Sequence, residues 1–196
     1  SAPHPGEDGP IYPGTCRSGL QPGRKPRALR IEVTNEQIGF CDGVFGPLQQ
    51  VLSEAVGDFV LRRADGLFAY QLAVVVDDEA EGVNQVVRGA DLLSSTPRQI
   101  FLHACLGNRI PEYIHLPLVM GNNGKKISKR YGSVELDHEN DAARLIALSL
   151  DFLGQTVPAS LLGAPPAELL AWAVQSFDQR RIPVAPEGVT VNDLPL

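Results

Sequence analysis

The residues best placed to do chemistry lie in one short stretch, Gly121-Asn122-Asn123-Gly124-Lys125-Lys126-Ile127-Ser128-Lys129-Arg130-Tyr131-Gly132, with four cations within six residues between glycines. Glycine lets a backbone approach a ligand with no Cβ in the way. Clustered Lys and Arg supply charge for anionic oxygens, so the stretch reads as a loop for polyphosphate. A Walker A loop is excluded by spacing. Only two residues separate Gly121 from Gly124 where that motif needs four, and Lys125 is followed by Lys126 where it needs Ser or Thr. Taken alone, Lys126 to Arg130 also fits a solvated basic turn. A second candidate is Tyr12-Pro13-Gly14-Thr15-Cys16, whose phenol and thiol would be half of a tetrahedral zinc set or, equally, plain loop residues.

The elements that must position these groups follow from punctuation and periodicity. Residues 1–28 form a Pro/Gly-rich arm, with too many helix breakers for a helix or a central strand. Leu29, Ile31 and Val33 alternate with Arg30, Glu32 and Thr34 as a half-buried strand would. The stretch from Pro47 to Val56 fits either a helical face closed by Gly57 or, with Phe40 to Phe45, a strand hairpin. Phe59 to Arg63 reads as a strand ended by the turn Ala64-Asp65-Gly66, and Val83 to Arg88 as a short buried strand. Thr96-Pro97-Arg98-Gln99 predicts a capping box opening a helix that Gly107 closes, and Tyr113 to Val119 is a further strand leading into the basic loop. Strand, helix, strand and loop in that order make half of a doubly wound nucleotide-binding sheet, with ligand at the carboxyl ends of the strands.

Beyond the loop the pattern turns helical. Ala142, Leu145, Ile146, Leu148, Phe152 and Leu153 form one apolar stripe that Asp141 can cap and Gly154 can end. Pro165-Pro166 open a second helix, with Leu169, Leu170, Ala173, Val174 and Phe177 expected on its inner side. The predicted organisation is therefore an arm over 1–28, an α/β half-domain over 29–133, and a helical subdomain with a proline-rich tail over 134–196.

Composition narrows the function classes. Apolar residues at 43% and charged ones at 20% are those of a folded globular chain, and a net charge of −6 argues against a protein that coats nucleic acid non-specifically. Local cations from Arg24 to Arg30 and Lys125 to Arg130 leave room for RNA read locally. No apolar run approaches the ~20 residues of a membrane helix. Three cysteines at no paired spacing, Cys16, Cys41 and Cys105, suit a reducing cytoplasm better than a disulfide framework.

Five stretches, in order, carry a resemblance. They are Asp65 to Asp78 (DGLFAYQLAVVVDD), Val86 to Leu92 (VVRGADL), Ser95 to Gln99 (STPRQ), Tyr113 to Leu118 (YIHLPL) and Lys126 to Arg130 (KISKR). Together they resemble the glutamyl and glutaminyl branch of class I aminoacyl-tRNA synthetases over roughly residues 29–155, and the last is similar to that class's KMSKS loop. The resemblance also turns Leu72 to Val76, a strand on β-branching alone, into an expected helix. It implies a fold as well, the second half of a Rossmann-like class I catalytic domain followed by a small α-helical subdomain.

Within the branch the chain most resembles the glutamyl-queuosine tRNA(Asp) synthetases. Tyr12-x-x-x-Cys16 is similar to the second half of their Cys-x-Cys...Tyr-x-x-x-Cys structural zinc site, and only sixty-six residues follow Arg130, too few for an anticodon-binding domain. The implied activity is ATP-dependent activation of L-glutamate without tRNA, then transfer to queuosine at the wobble position of tRNA(Asp). In it Lys129, supported by Lys126, meets the pyrophosphate, Lys126 to Arg130 bind ATP with its Mg²⁺, and Tyr70 and Arg88 bind glutamate.

The chain lacks that family's HIGH-type loop, the first half of the sheet and the Cys-x-Cys pair. It is therefore expected to be the C-terminal portion of a longer enzyme and inactive alone. A fragment of a glutamyl-tRNA synthetase that charges the 3′ end, and a non-catalytic RNA-binding module, are the competing readings. On the residues themselves, Arg88 also fits a surface ion pair with Asp91, and Tyr70 an ordinary half-buried tyrosine. Asp77 and Asp78 look like a catalytic pair, but an attacking carboxylate is already ionised and needs no base, so their role is read as structural. His103 and His115 lie in apolar contexts and are read as core or supporting groups rather than ligands.

Overall fold

The computed structural model describes residues 5–6, 9–121, 126–127 and 142–190. Two compact units share the chain. One takes Ser1–Asp42, Gly46–Val87 and Asp91–Ile114, and the other Gly43–Phe45, Arg88–Ala90 and His115–Leu196.

The first unit opens with the short antiparallel pair β1 (Pro5–Gly6) and β2 (Gly9–Pro10). The predicted strand at Leu29 forms as β3 (Leu29–Ile31), and the ambiguous stretch resolves into both of its readings. β4 (Gln37–Asp42) and β5 (Gly46–Val51) make an antiparallel hairpin, and a single turn of helix, α1 (Leu52–Ala55), follows at once. β6 (Phe59–Arg62) returns antiparallel to β3, and Gly66 donates to Arg63 C=O in the predicted turn.

Leu72 to Val76 lies inside α2 (Tyr70–Ala80). β7 (Gln85–Gly89) and β8 (Glu112–Leu116) pair, with a 3₁₀ segment over Ala90–Ser95 and α3 (Thr96–Leu106) between them in sequence. The core of this unit is Val33, Leu52, Phe59, Val75 and Leu102, with Phe101 edge-on to Phe59 at 6.4 Å between ring centroids. Residues from β6 and from α1, α2 and α3 meet there with Val33 from beyond β3, and burying each such side chain is worth about 1.5–3 kcal/mol.

The capping box is corrected. Ser95, not Thr96, precedes α3, and it makes no side-chain cap hydrogen bond. The Gln99 amide instead donates to Gln71 Oε1 at 2.9 Å, while Gln71 donates to Ser95 Oγ at 3.0 Å and Arg98 Nη2 reaches the same oxygen at 3.0 Å. Gln99 and Ser95 are buried, and a buried amide or hydroxyl costs too much to leave unpaired. Tertiary pairing between α2 and α3 thus displaces the local cap. Gly107 ends α3 in the left-handed region, φ 71°, as expected.

In the second unit the chain leaves β8 through Pro117 and Leu118 into β9 (Val119–Met120), and later forms α4 (Ala142–Phe152) and α5 (Pro166–Ser176), which pack on each other. Asp141, the expected cap of α4, lies outside the described residues. Gly154 ends that helix at φ 73°, where an added Cβ would collide with the Arg181 carbonyl oxygen. Buried Gln155 donates to Leu153 C=O and Asp178 C=O and accepts from Asp178 N–H, tying the end of α4 to the segment after α5.

The inner face of α5 is narrower than its sequence suggests. Leu169 and Ala173, one turn apart, are buried, whereas Leu170, Val174 and Phe177 stand exposed, Val174 at 85%. A residue one position on is rotated ~100° about the axis, so a single packing partner covers one stripe and leaves its neighbours in solvent. The proline-rich tail is also more than a tail. β10 (Val189–Thr190) pairs in parallel with β9.

Candidate functional site

The basic loop springs from β9. Its first described residues fold back on that strand: Lys126 bridges Met120 antiparallel, and Ile127 N–H donates to Val119 C=O at 3.0 Å. β9 is held again by β10, where Val189 N–H donates to Leu118 C=O at 2.8 Å. Gly188, at φ 86°, makes that approach possible, since a Cβ there would sit 2.5 Å from Met120 Cγ and 2.7 Å from Leu118 O. The root of the loop is thus pinned through its own backbone, and the Lys126 side chain is exposed. Ser128, Lys129 and Arg130 lie outside the described residues. That the tail returns to this strand was invisible in the sequence, because two paired residues leave no periodicity to read.

Arg88, in the same unit, lies in β7 and is partly buried. Its Nε–H donates to His115 Nε2 at 2.9 Å, and His115 on β8 is fully buried. A nitrogen that accepts carries no proton, so this imidazole is the Nδ1–H tautomer. His115 is therefore the supporting group its apolar context predicted, and what it supports is the guanidinium.

Tyr70 belongs to the first unit, where it opens α2 and is 52% exposed. The residues before it are laced to β6, with Arg63 N–H donating to Leu67 C=O and Ala69 N–H to Leu61 C=O, both at 2.8 Å. Its phenol therefore sits at a fixed helix start. Asp77 is exposed in the last turns of α2, where its carbonyl accepts Glu81 N–H. Asp78 and Glu79 lie near enough to His103 to favour its protonation, but burial outweighs them and holds His103 below its ordinary pKa.

Tyr12 and Cys16 do come together. The Tyr12 hydroxyl accepts from Cys16 N–H at 2.9 Å, and a hydrogen bond with the Cys16 side chain is the largest of the effects that push the phenol above its ordinary pKa. That bond brings the phenol against the cysteine's backbone, and a phenol oxygen with a thiol on one such turn is the donor set of half a four-ligand zinc site. Among the described residues no group of three or more His, Cys, Asp or Glu is placed to hold a metal. The residue that sequence reading missed here is Asp58, whose 4% exposed carboxylate receives Arg17, the neighbour of Cys16. An aspartate after a glycine carries no such signal in a single sequence.

The glutamyl-Q tRNA(Asp) synthetase of Geobacter sulfurreducens is 53% identical over 189 residues, which are 94% of this chain and 60% of that protein. Those of Dechloromonas aromatica and Thiobacillus denitrificans are 50% and 47% identical over 93% and 94% of the chain, covering 61% of each. The chain thus spans about three fifths of the length of the curated relatives it matches. A crystal structure of a glutamate tRNA ligase from Elizabethkingia meningosepticum has a similar fold, with a TM-score of 0.65 at 21% identity, covering 83% of this chain and 36% of that one. No described helix is long and apolar enough to cross a membrane. The model for the catalytic domain of class I tRNA synthetases (E and Q) matches residues 15–156, most of this mixed α/β chain, which therefore belongs to that family.

Proposed function

We propose that this chain is part of an enzyme that activates L-glutamate with ATP and transfers it to queuosine in tRNA(Asp). The observation that carries the reading is the run of relatives so named, 47–53% identical along nearly the whole chain. In the first step a glutamate α-carboxylate oxygen bonds to the α-phosphorus of ATP as the bond to pyrophosphate breaks. Negative charge builds on the phosphoryl oxygens and is met by fixed cations. Lys129 takes the leaving pyrophosphate with Lys126 supporting it, and Ile127, Ser128 and Arg130 complete the contact with ATP, whose Mg²⁺ would neutralise further charge on the phosphates. Arg88 pairs with a glutamate carboxylate and Tyr70 hydrogen-bonds beside it. In the second step a hydroxyl of the queuosine cyclopentene diol attacks the acyl carbon, and AMP leaves with the phosphate oxygen.

Zinc held by Tyr12, Cys16 and two cysteines outside this chain would be structural, because four protein ligands leave no open position for substrate. In functional terms residues 1–28 are then the metal arm, 29–133 the second half of the Rossmann-like catalytic domain and 134–196 the helical subdomain, in a cytoplasmic enzyme. The test offers the full-length protein radiolabelled glutamate with tRNA from cells able or unable to make queuosine. Label in the first pool alone is expected, and equal label in both would return the protein to 3′-end glutamylation.

A further inference from the structure

We infer that the dipeptide Gly57-Asp58 is the dock that presets both metal donors of the arm, a positioning role that rests on the zinc reading of Tyr12 and Cys16. Three contacts converge on it. At Gly57 the backbone forms a parallel bridge with Tyr12, and a Cβ there would meet Tyr12 O at 2.7 Å and Ile11 Cγ2 at 2.8 Å, so only glycine lets the arm this close. The Asp58 carboxylate takes Arg17 in a two-point pair, Nε at 2.8 Å and Nη2 at 2.6 Å, which fixes the backbone directly after Cys16. The Asp58 carbonyl accepts from Arg30 Nη1 at 2.7 Å, and that guanidinium lies 4.2 Å over the Tyr12 ring. One residue therefore governs both donors, Cys16 through Arg17 and Tyr12 through Arg30.

The dock is itself rigid. Asp58 Oδ1 also accepts Val33 N–H at 3.1 Å, and Val33 and the adjoining Phe59 belong to the core. An arm with six prolines and five glycines before Arg27 has little regular structure to hold its own shape. Fastening its two donors to core-anchored backbone removes most of the ordering that a metal ion would otherwise have to impose, and supports of this kind typically carry about 10- to 100-fold of metal affinity.

The test measures zinc affinity and release rate in the full-length protein by competition with a chromophoric chelator, alongside thermal unfolding. Cys16→Ser and Tyr12→Phe establish whether the two are ligands at all. If neither lowers zinc binding, the zinc reading fails and the dock falls with it. Given that both do, Asp58→Asn, which keeps an acceptor for Val33 N–H, and the surface change Arg17→Gln are each expected to weaken zinc about tenfold or more and to speed its release. Arg17→Lys, which keeps the charge but loses the two-point geometry, is expected to restore only part of the affinity. Arg17→Gln and Asp58→Asn proteins that fold and hold zinc as tightly as wild type would overturn the inference while leaving the ligands in place.

Discussion

Replacing His115 tests whether the guanidinium of Arg88 works because it is held. His115→Leu keeps the volume of a fully buried side chain but removes the acceptor 2.9 Å from Arg88 Nε, while His115→Gln places an amide oxygen within comparable reach. A hydrogen bond to a charged group is worth about 1.5–3 kcal/mol, and because Arg88 is only partly buried, water replaces some of what is lost, which favours the lower figure. About 1.5 kcal/mol is roughly a tenfold change in affinity. ATP–pyrophosphate exchange by the full-length enzyme should then show the KM for glutamate rising about tenfold in the Leu variant, with the KM for ATP unmoved. The Gln variant should recover most of the loss, and Leu should add little in an Arg88→Ala background, because two residues acting through one contact are not additive. A normal glutamate KM in His115→Leu, alongside a raised one in Arg88→Ala, would show that the guanidinium needs no such support.

Lys129→Ala in the full-length enzyme should cut glutamate-dependent exchange about 10²-fold, the scale of one lost transition-state charge contact, with little effect on glutamate affinity; unchanged exchange kinetics would make the loop plain surface. Gly188→Val should cost about 2 kcal/mol or more in denaturant unfolding, since it combines a left-handed backbone with a clash on Met120, and it should raise the KM for ATP by loosening the root of the loop. Among the described residues none hydrogen-bonds either ring nitrogen of buried His103, and burial holds its pKa below the ordinary value of ~6.5. Its contribution to stability is therefore whole above that pH and is lost as pH falls through the unfolded value toward the folded one. His103→Met should raise the melting temperature at neutral pH and flatten this acid slope, and parallel pH profiles for the two proteins would refute the assignment.

How much of this was legible in the sequence depended on the range of the force at work. Strand β6, the turn after it, helix α2 and the glycine ends of α3 and α4 depend on local punctuation and on the family pattern, and all were anticipated. The cap of α3 was misread because Gln99, free to serve its own helix in isolation, pairs with Gln71, 28 residues away. Leu170 and Val174 were misassigned because their helical spacing is apolar, yet the packing of α5 on α4 leaves both exposed. Of the site, the residue types were readable and their supports were not. Arg88 announces itself as a guanidinium among apolar residues, but nothing in its neighbours names His115, and nothing near Cys16 names Asp58.

That split has a physical cause. Most of the groups proposed to meet ligands are accessible, with Cys16, Tyr70 and Lys126 exposed and Arg88 partly buried, whereas the groups that hold the site together are buried, His115 at 0% and Asp58 at 3–4%. An exposed side chain exchanges its hydrogen bonds with water at little cost and cannot keep one orientation by itself. A buried acceptor has no bulk water to replace a partner it loses, and in a low-dielectric setting that loss is large. Orientation is therefore set most firmly where a buried acceptor meets the stem of a charged group, as His115 meets Arg88 and Asp58 meets Arg17. It follows that substitutions at these supports should act mainly on the order of the site, and that the conservative variant keeping the acceptor should rescue each one. An exposed support, such as the Arg180 pair with Asp178, should give no comparable effect on any ligand.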